Sequence, residues 1–165
     1  INTGMALPPV VVGLVVSIFL WRSGPLGALK LIYTPTAIVI AQVLISFPLA
    51  AGLTISSLQQ LDPRLRVQLL GLGASKFQMI LSLWKEARLA LVAALIAAFG
   101  SVISEVGASM MVGGNLKGST RVLTTAIVLE TSRGEFASAI ALSIILLGLA
   151  FLVNFALTSL QQRRK

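Results

Sequence analysis

The sequence predicts an all-α fold, an integral-membrane helical bundle, on three observations. Only 11% of its residues are charged, whereas a soluble domain carries about 25%. Its mean hydropathy is +0.96, so there is too little polar surface to coat a globule in water. The apolar runs are continuous rather than alternating with period two, which argues against a transmembrane barrel. A length of 165 residues allows one domain of four or five spans at about 20 residues each.

The first span is expected over about 5–21. Pro8 and Pro9 sit in its opening turns, where a missing N–H costs least, and Trp21-Arg22 form an interfacial pair at its far end. A polar connection follows, and Thr34-Pro35 then give an N-cap and a proline at N1. The second span runs over about 35–58, with Pro48 depriving the Leu44 carbonyl of its partner and predicting a kink. Residues 59–88 form a more polar insert. The third span, about 89–111, is rich in Ala, Gly and Ser, a composition suited to close helix packing in lipid. Thr120 to Thr131 predict a short amphipathic helix, too short to cross. The last span covers about 136–160 and stops at Arg163-Arg164-Lys165.

Cations set the orientation. Arg64, Arg66, Lys76, Lys85 and Arg88 lie in the insert, and Arg163, Arg164 and Lys165 in the tail. Arg22, Lys30, Lys117, Arg121 and Arg133 fall on the other side if there are four crossings. The insert and both ends of the chain are therefore expected on the cytoplasmic side. The chain starts at Ile1 rather than Met, as a fragment or a processed chain is expected to.

Within the insert, Asp62-Pro63 signal a helix start, and Leu65, Leu69 and Leu72 fall at i, i+4 and i+7, one stripe of a helix. Gly73 suits a left-handed C-terminal position, and Ser75 caps a second short helix through Leu83. The expected result is two short helices hinged at Gly73-Ala74-Ser75. They form either a docking platform or an amphipathic loop resting on lipid headgroups. Phe77 is expected either under the platform or on a partner.

Much chemistry is excluded. With no Cys and no His, thiol and imidazole catalysis and the usual zinc sites are absent. Asp62, Glu86, Glu105, Glu130 and Glu135 have no spacing that suggests a metal cage or an acid–base pair. No phosphate-binding Gly-x4-Gly-Lys-Ser/Thr occurs. The net charge of +8 is explained by topology, and no nucleic acid is expected as a partner.

The insert resembles the cytoplasmic coupling loop of ABC importer permeases. Gly73 stands at that loop's glycine, Ala74-Ser75 follow it, and Leu83 matches the later aliphatic position. Val67-Gln68-Leu69 stand where Glu-Ala-Ala would be, and Lys85-Glu86 where Leu-Pro would be. Leu7-Pro8-Pro9-Val10-Val11-Val12-Gly13, Gly24-Pro25-Leu26-Gly27 with Tyr33-Thr34-Pro35, and Ser104-Glu105-Val106-Gly107-Ala108 with Asn115 and Thr120-Arg121 resemble, in order, segments of the molybdate and tungstate permeases. The tungstate branch is the nearer of the two.

That resemblance implies a type I ABC importer transmembrane domain with no catalytic residue, cofactor or metal of its own, and at least one further N-terminal span before this chain. It implies a homodimer in the lipid bilayer of the inner membrane, ABC ATPase subunits carrying ATP and Mg below it, and an extracytoplasmic oxyanion-binding protein above. Leu69, Leu72, Gly73, Ala74, Ser75, Lys76 and Phe77 become the candidate ATPase-coupling residues. Glu105, an acid expected inside an apolar span, is a candidate gate residue that pairs with Arg121, faces the pathway or sits protonated. Lys117 and Arg121, next to glycine-rich backbone, are candidate oxyanion contacts or plain topology charges. The competing function is an ATPase-independent channel or secondary anion carrier, which would line several spans with polar groups.

Overall fold

The computed structural model describes residues 2–162; the tail cations Arg163, Arg164 and Lys165 lie outside the described residues. Helices α1 (Asn2–Met5) and α2 (Pro9–Leu20) are separated by the turn before Pro9, which starts α2 at its first helical position. Helix α3 (Pro35–Gln59) starts at Thr34, whose hydroxyl accepts from the Ala37 amide at 3.3 Å. It continues through Pro48. Helix α4 spans Pro63–Gly71, α5 Lys76–Ile103, α6 Gly107–Gly113, α7 Leu123–Ser132 and α8 Phe136–Gln162.

Among the described residues, three helices are long and apolar enough to cross a membrane: Pro35–Gln59, Lys76–Ile103 and Phe136–Ser159. The segment expected as a first span differs. Its helix α2 has 12 residues, about 18 Å at 1.5 Å per residue, well short of a 30 Å hydrocarbon layer. Four full crossings are thus not found as four long helices among the described residues.

The third span also differs from its expected bounds. α5 begins at Lys76 and ends at Ile103, where the Ser104 hydroxyl turns back to the carbonyls of Gly100 and Ser101 at 3.0 and 3.1 Å. A break at 104–106 precedes α6. Val102, Ile103 and Val106 are apolar on both sides of Ser104-Glu105, so hydropathy alone does not reveal it. The helix predicted from Thr120 starts instead at Leu123, because Thr120 and Arg121 fold back on Leu116 through backbone bonds of 3.1 and 3.0 Å.

The packed core lies where α2, α3 and α6 meet: Val16, Leu20, Ala37, Ile38, Ala41, Ala108 and Val112. α2 and α6 approach very closely. A Cβ added at Gly13 would stand 2.6 Å from the Ala108 Cα, and one at Gly107 would stand 2.4 Å from Val10. Small residues permit such crossings in lipid, where van der Waals packing is a main attraction between helices. The Tyr33 amide donates to the Val112 carbonyl at 2.9 Å, joining the α2–α3 connection to the end of α6. α5 packs along α3, and α8 leans on α5 and α7. The outer faces of α5 and α8 expose Leu95, Ile144, Leu147, Phe151 and Phe155, as expected of helices that meet lipid tails.

Candidate functional site: an exposed insert and a cavity at the far end of α5

The insert begins at Asp62, whose carboxylate accepts from the Arg64 amide at 2.8 Å and so caps α4. Leu65 and Leu69 are half-buried, and α4 packs on α5. Leu72 leaves the expected stripe because α4 stops at Gly71, and it is 83% exposed. Gly73 takes a φ of +74°, the left-handed conformation that glycine adopts without a Cβ penalty. Ser75 then closes a capping box. Its hydroxyl accepts from the Gln78 amide at 3.3 Å, and the Gln78 side chain accepts from the Ser75 amide at 2.8 Å.

Ser75 was expected to cap a second short helix ending near Leu83. It caps α5 instead, which runs 28 residues without interruption. The insert is therefore one short helix, a hinge at 72–75 and the first turns of a spanning helix. Phe77, on that first turn, is 75% exposed; it is not tucked beneath the insert. Lys76 is exposed beside it, while Ala74 is half-buried. Leu72 and Phe77 thus present apolar surface on either side of the hinge.

At the other end of α5 lies a cavity of about 710 Å³, whose polar lining comes from Gln42, Glu105, Arg121 and Thr124. Glu105 sits in the break between α5 and α6, not inside a span as expected. Its carboxylate accepts from the Ala108 amide at 2.9 Å and so satisfies a first-turn donor of α6. Its main-chain carbonyl accepts from the Thr124 hydroxyl at 3.1 Å. Glu105 and Arg121 line the same cavity without forming an ion pair, whereas Arg133 pairs with Glu130 at 3.5 Å.

Arg121 reaches the Asn115 carbonyl through Nη2 at a long 3.4 Å, and its buried Nε has no partner. The loop behind it is firmly built. Asn115 has a φ of +51°, and the buried Thr120 hydroxyl donates to the Gly113 carbonyl while accepting from the Leu116 amide. Lys117 is exposed and lies off the cavity, whereas the neighbouring Gly118 lines it. The start of α7 also faces in, through Val122 and Leu123. Val122 has no side-chain acceptor, so the α7 N-terminus carries no side-chain cap; the Thr125 hydroxyl accepts from the Val122 amide at 3.1 Å and donates to the Val122 carbonyl at 3.0 Å.

Gln42 was missed from sequence. It is an uncharged amide within an apolar run, and nothing local says that α3 carries it to the same space as Arg121. The signal was its polarity inside the span at 35–58. Thr124 was missed as a tie because its partner lies 19 residues away.

This arrangement has no nucleophile–base pair, and no cluster of metal-ligating residues occurs among the described residues. One long helix joins an exposed insert to a largely apolar cavity with Gln42, Glu105, Arg121 and Thr124 in its wall. The whole chain, residues 1–165, matches the family described as the binding-protein-dependent transport system inner membrane component. The chain belongs to that family.

This permease thus has the all-α fold of a type I ABC importer membrane domain. It is 46% identical over 158 residues to the tungstate uptake system permease protein TupB of Peptoclostridium acidaminophilum, covering 96% of this chain and 69% of that one. It is 43% identical to a probable anion ABC transporter permease protein of Haloferax volcanii, covering 93% and 68%. Against TupB of Campylobacter jejuni the identity is 36%, covering 94% and 65%. The chain therefore spans about two thirds of the length of these relatives. It is a membrane permease component and not itself the catalytic subunit of the transport system.

Proposed function

We propose that this permease carries an oxyanion, tungstate first and molybdate next, across the inner membrane in an importer driven by partner ATPase subunits that bind ATP and Mg. The relatives named for tungstate uptake support the cargo. The working unit is a homodimer fed by an extracytoplasmic oxyanion-binding protein. The insert and its cations Arg64, Arg66, Lys76, Lys85 and Arg88 face the cytoplasm, in keeping with the bias of Lys and Arg to that side.

The observation that carries this reading is the continuity of α5. It starts at the capped, exposed turn of Lys76 and Phe77 and ends at Ile103, which lines the cavity. Twenty-eight residues make a rod of about 42 Å. A partner that seizes Leu72, Gly73 and Phe77 would move the cavity wall as a rigid body, the kind of motion by which domains switch between states.

The test uses the whole native gene product that carries this chain, placed in lipid vesicles with its ATPase and binding protein. Uptake of tungstate should require ATP and should stop in F77D, with the permease still folded. Tungstate uptake that proceeds without any ATPase would overturn the proposal and favour a channel or secondary carrier.

A further inference from the structure

We infer that the cavity is a weak oxyanion station in which Arg121 holds the anion and Glu105 drives it out. The inference rests on the importer reading above and assigns two opposed roles to residues of one cavity.

A guanidinium has five N–H donors. Arg121 uses one of them in a 3.4 Å contact to the Asn115 carbonyl, and its Nε is buried with no partner. The Nε is closed off, but the other guanidinium donors belong to a side chain that lines a largely apolar cavity of about 710 Å³, and charged donors there suit a group with several acceptor oxygens. The start of α7 opens on the same space without a side-chain cap, and its amides favour negative charge. Gln42 adds an amide from α3, and Thr124 lines the wall although its hydroxyl is already committed to the Glu105 carbonyl. The chemistry selected is a compact tetrahedral oxyanion.

Glu105 lines this cavity as well. Its carboxylate is held toward α6 by the Ala108 amide rather than by Arg121, so the cation remains available. An anion that enters meets attraction from Arg121 and repulsion from a carboxylate that stays in place. Such a site binds enough to admit the ion and too weakly to keep it, which conduction and transport both require. Glu105 is thus a release residue, not a ligand.

The test measures tungstate binding to the permease–ATPase complex without the binding protein, by equilibrium dialysis, alongside ATP-driven uptake with it. R121Q should bind tungstate about tenfold or more weakly, the loss expected for a charge-assisted hydrogen bond. E105Q keeps an oxygen for the Ala108 amide, so it should bind several-fold more tightly and turn over more slowly. R121K, which keeps the charge but not the fork, should fall between R121Q and wild type; should R121Q fail to assemble, R121K decides. Shifts of E105Q and Arg121 variants in the same direction, or no shift in either, would overturn the inference. Wild-type uptake that remains ATP-dependent in that case leaves the importer reading standing, whereas absence of ATP-dependent uptake in wild type sinks that reading itself.

Discussion

The Thr124 hydroxyl donates a 3.1 Å hydrogen bond to the main-chain carbonyl of Glu105, bridging 19 residues of chain. Glu105 occupies a helix break, where carbonyls lack the regular intrahelical donor. Thr124 is buried, so removing its hydroxyl leaves that carbonyl short of a partner in a poorly hydrated place. T124V should lower the stability of the detergent-solubilised protein by about 1–3 kcal/mol, whereas T124S should melt like wild type. Equal melting of all three would mean that the bond contributes nothing to holding α7 against the break.

Gly13 and Gly148 make a controlled pair. A Cβ at Gly13 would meet backbone, the Ala108 Cα at 2.6 Å, so no rotamer change relieves it. One at Gly148 would meet nothing within 4 Å. G13A should destabilise the α2–α6 crossing by about 1–3 kcal/mol. G148A should be neutral or stabilising, because alanine favours a helix by up to about 1 kcal/mol over glycine. Thermal unfolding of the two variants side by side checks this, and equal melting would show that α2 and α6 can separate freely.

The Ser75 capping box predicts a local effect with a distant consequence. S75A removes the acceptor for the Gln78 amide, and loss of an N-cap costs about 1 kcal/mol. The first turn of α5 should fray, seen as faster amide hydrogen exchange at 76–79, while exchange near Ile103 stays unchanged. The frayed turn carries Phe77, so tungstate uptake should fall even though the spanning part of α5 is intact. Unaltered exchange at 76–79 would show that helix continuity alone fixes this turn.

Local signals in the sequence were legible, and non-local ones were not. Thr34, Asp62 and Ser75 each announce a helix start, because a cap depends on neighbours within three residues. Gly73 announces its left-handed turn for the same reason. The break at 104–106 is hidden, since Val102, Ile103 and Val106 carry apolar side chains up to and into it, and what stops α5 is Ser104 turning back on its own helix. The shortness of α2 is hidden as well, because its packing on α6 joins segments almost a hundred residues apart. Arg121 was found as a cation near glycines, but its neighbours Gln42 and Thr124 come together only through packing. Lys117, equally cationic and four residues away, points to solvent; sequence alone does not separate the two.

Leu72 and Phe77 supply the sharpest separation between folding and coupling. Both are largely exposed, so truncating them removes little internal packing, and surface changes of this kind shift stability by about 0.5 kcal/mol or less. Leu65 and Leu69 in the same insert are half-buried, so truncation there does remove packing. If the exposed pair is the seat of the ATPase, F77A and L72A should melt like wild type yet recover much less ATPase on co-purification. The loss for the aromatic side chain should correspond to about 2 kcal/mol, as for a buried anchor at an interface. L65A should reverse the pattern, losing stability first and ATPase only in proportion. Full ATPase recovery by the F77A/L72A double variant would place the docking surface elsewhere and leave this apolar face to lipid headgroups.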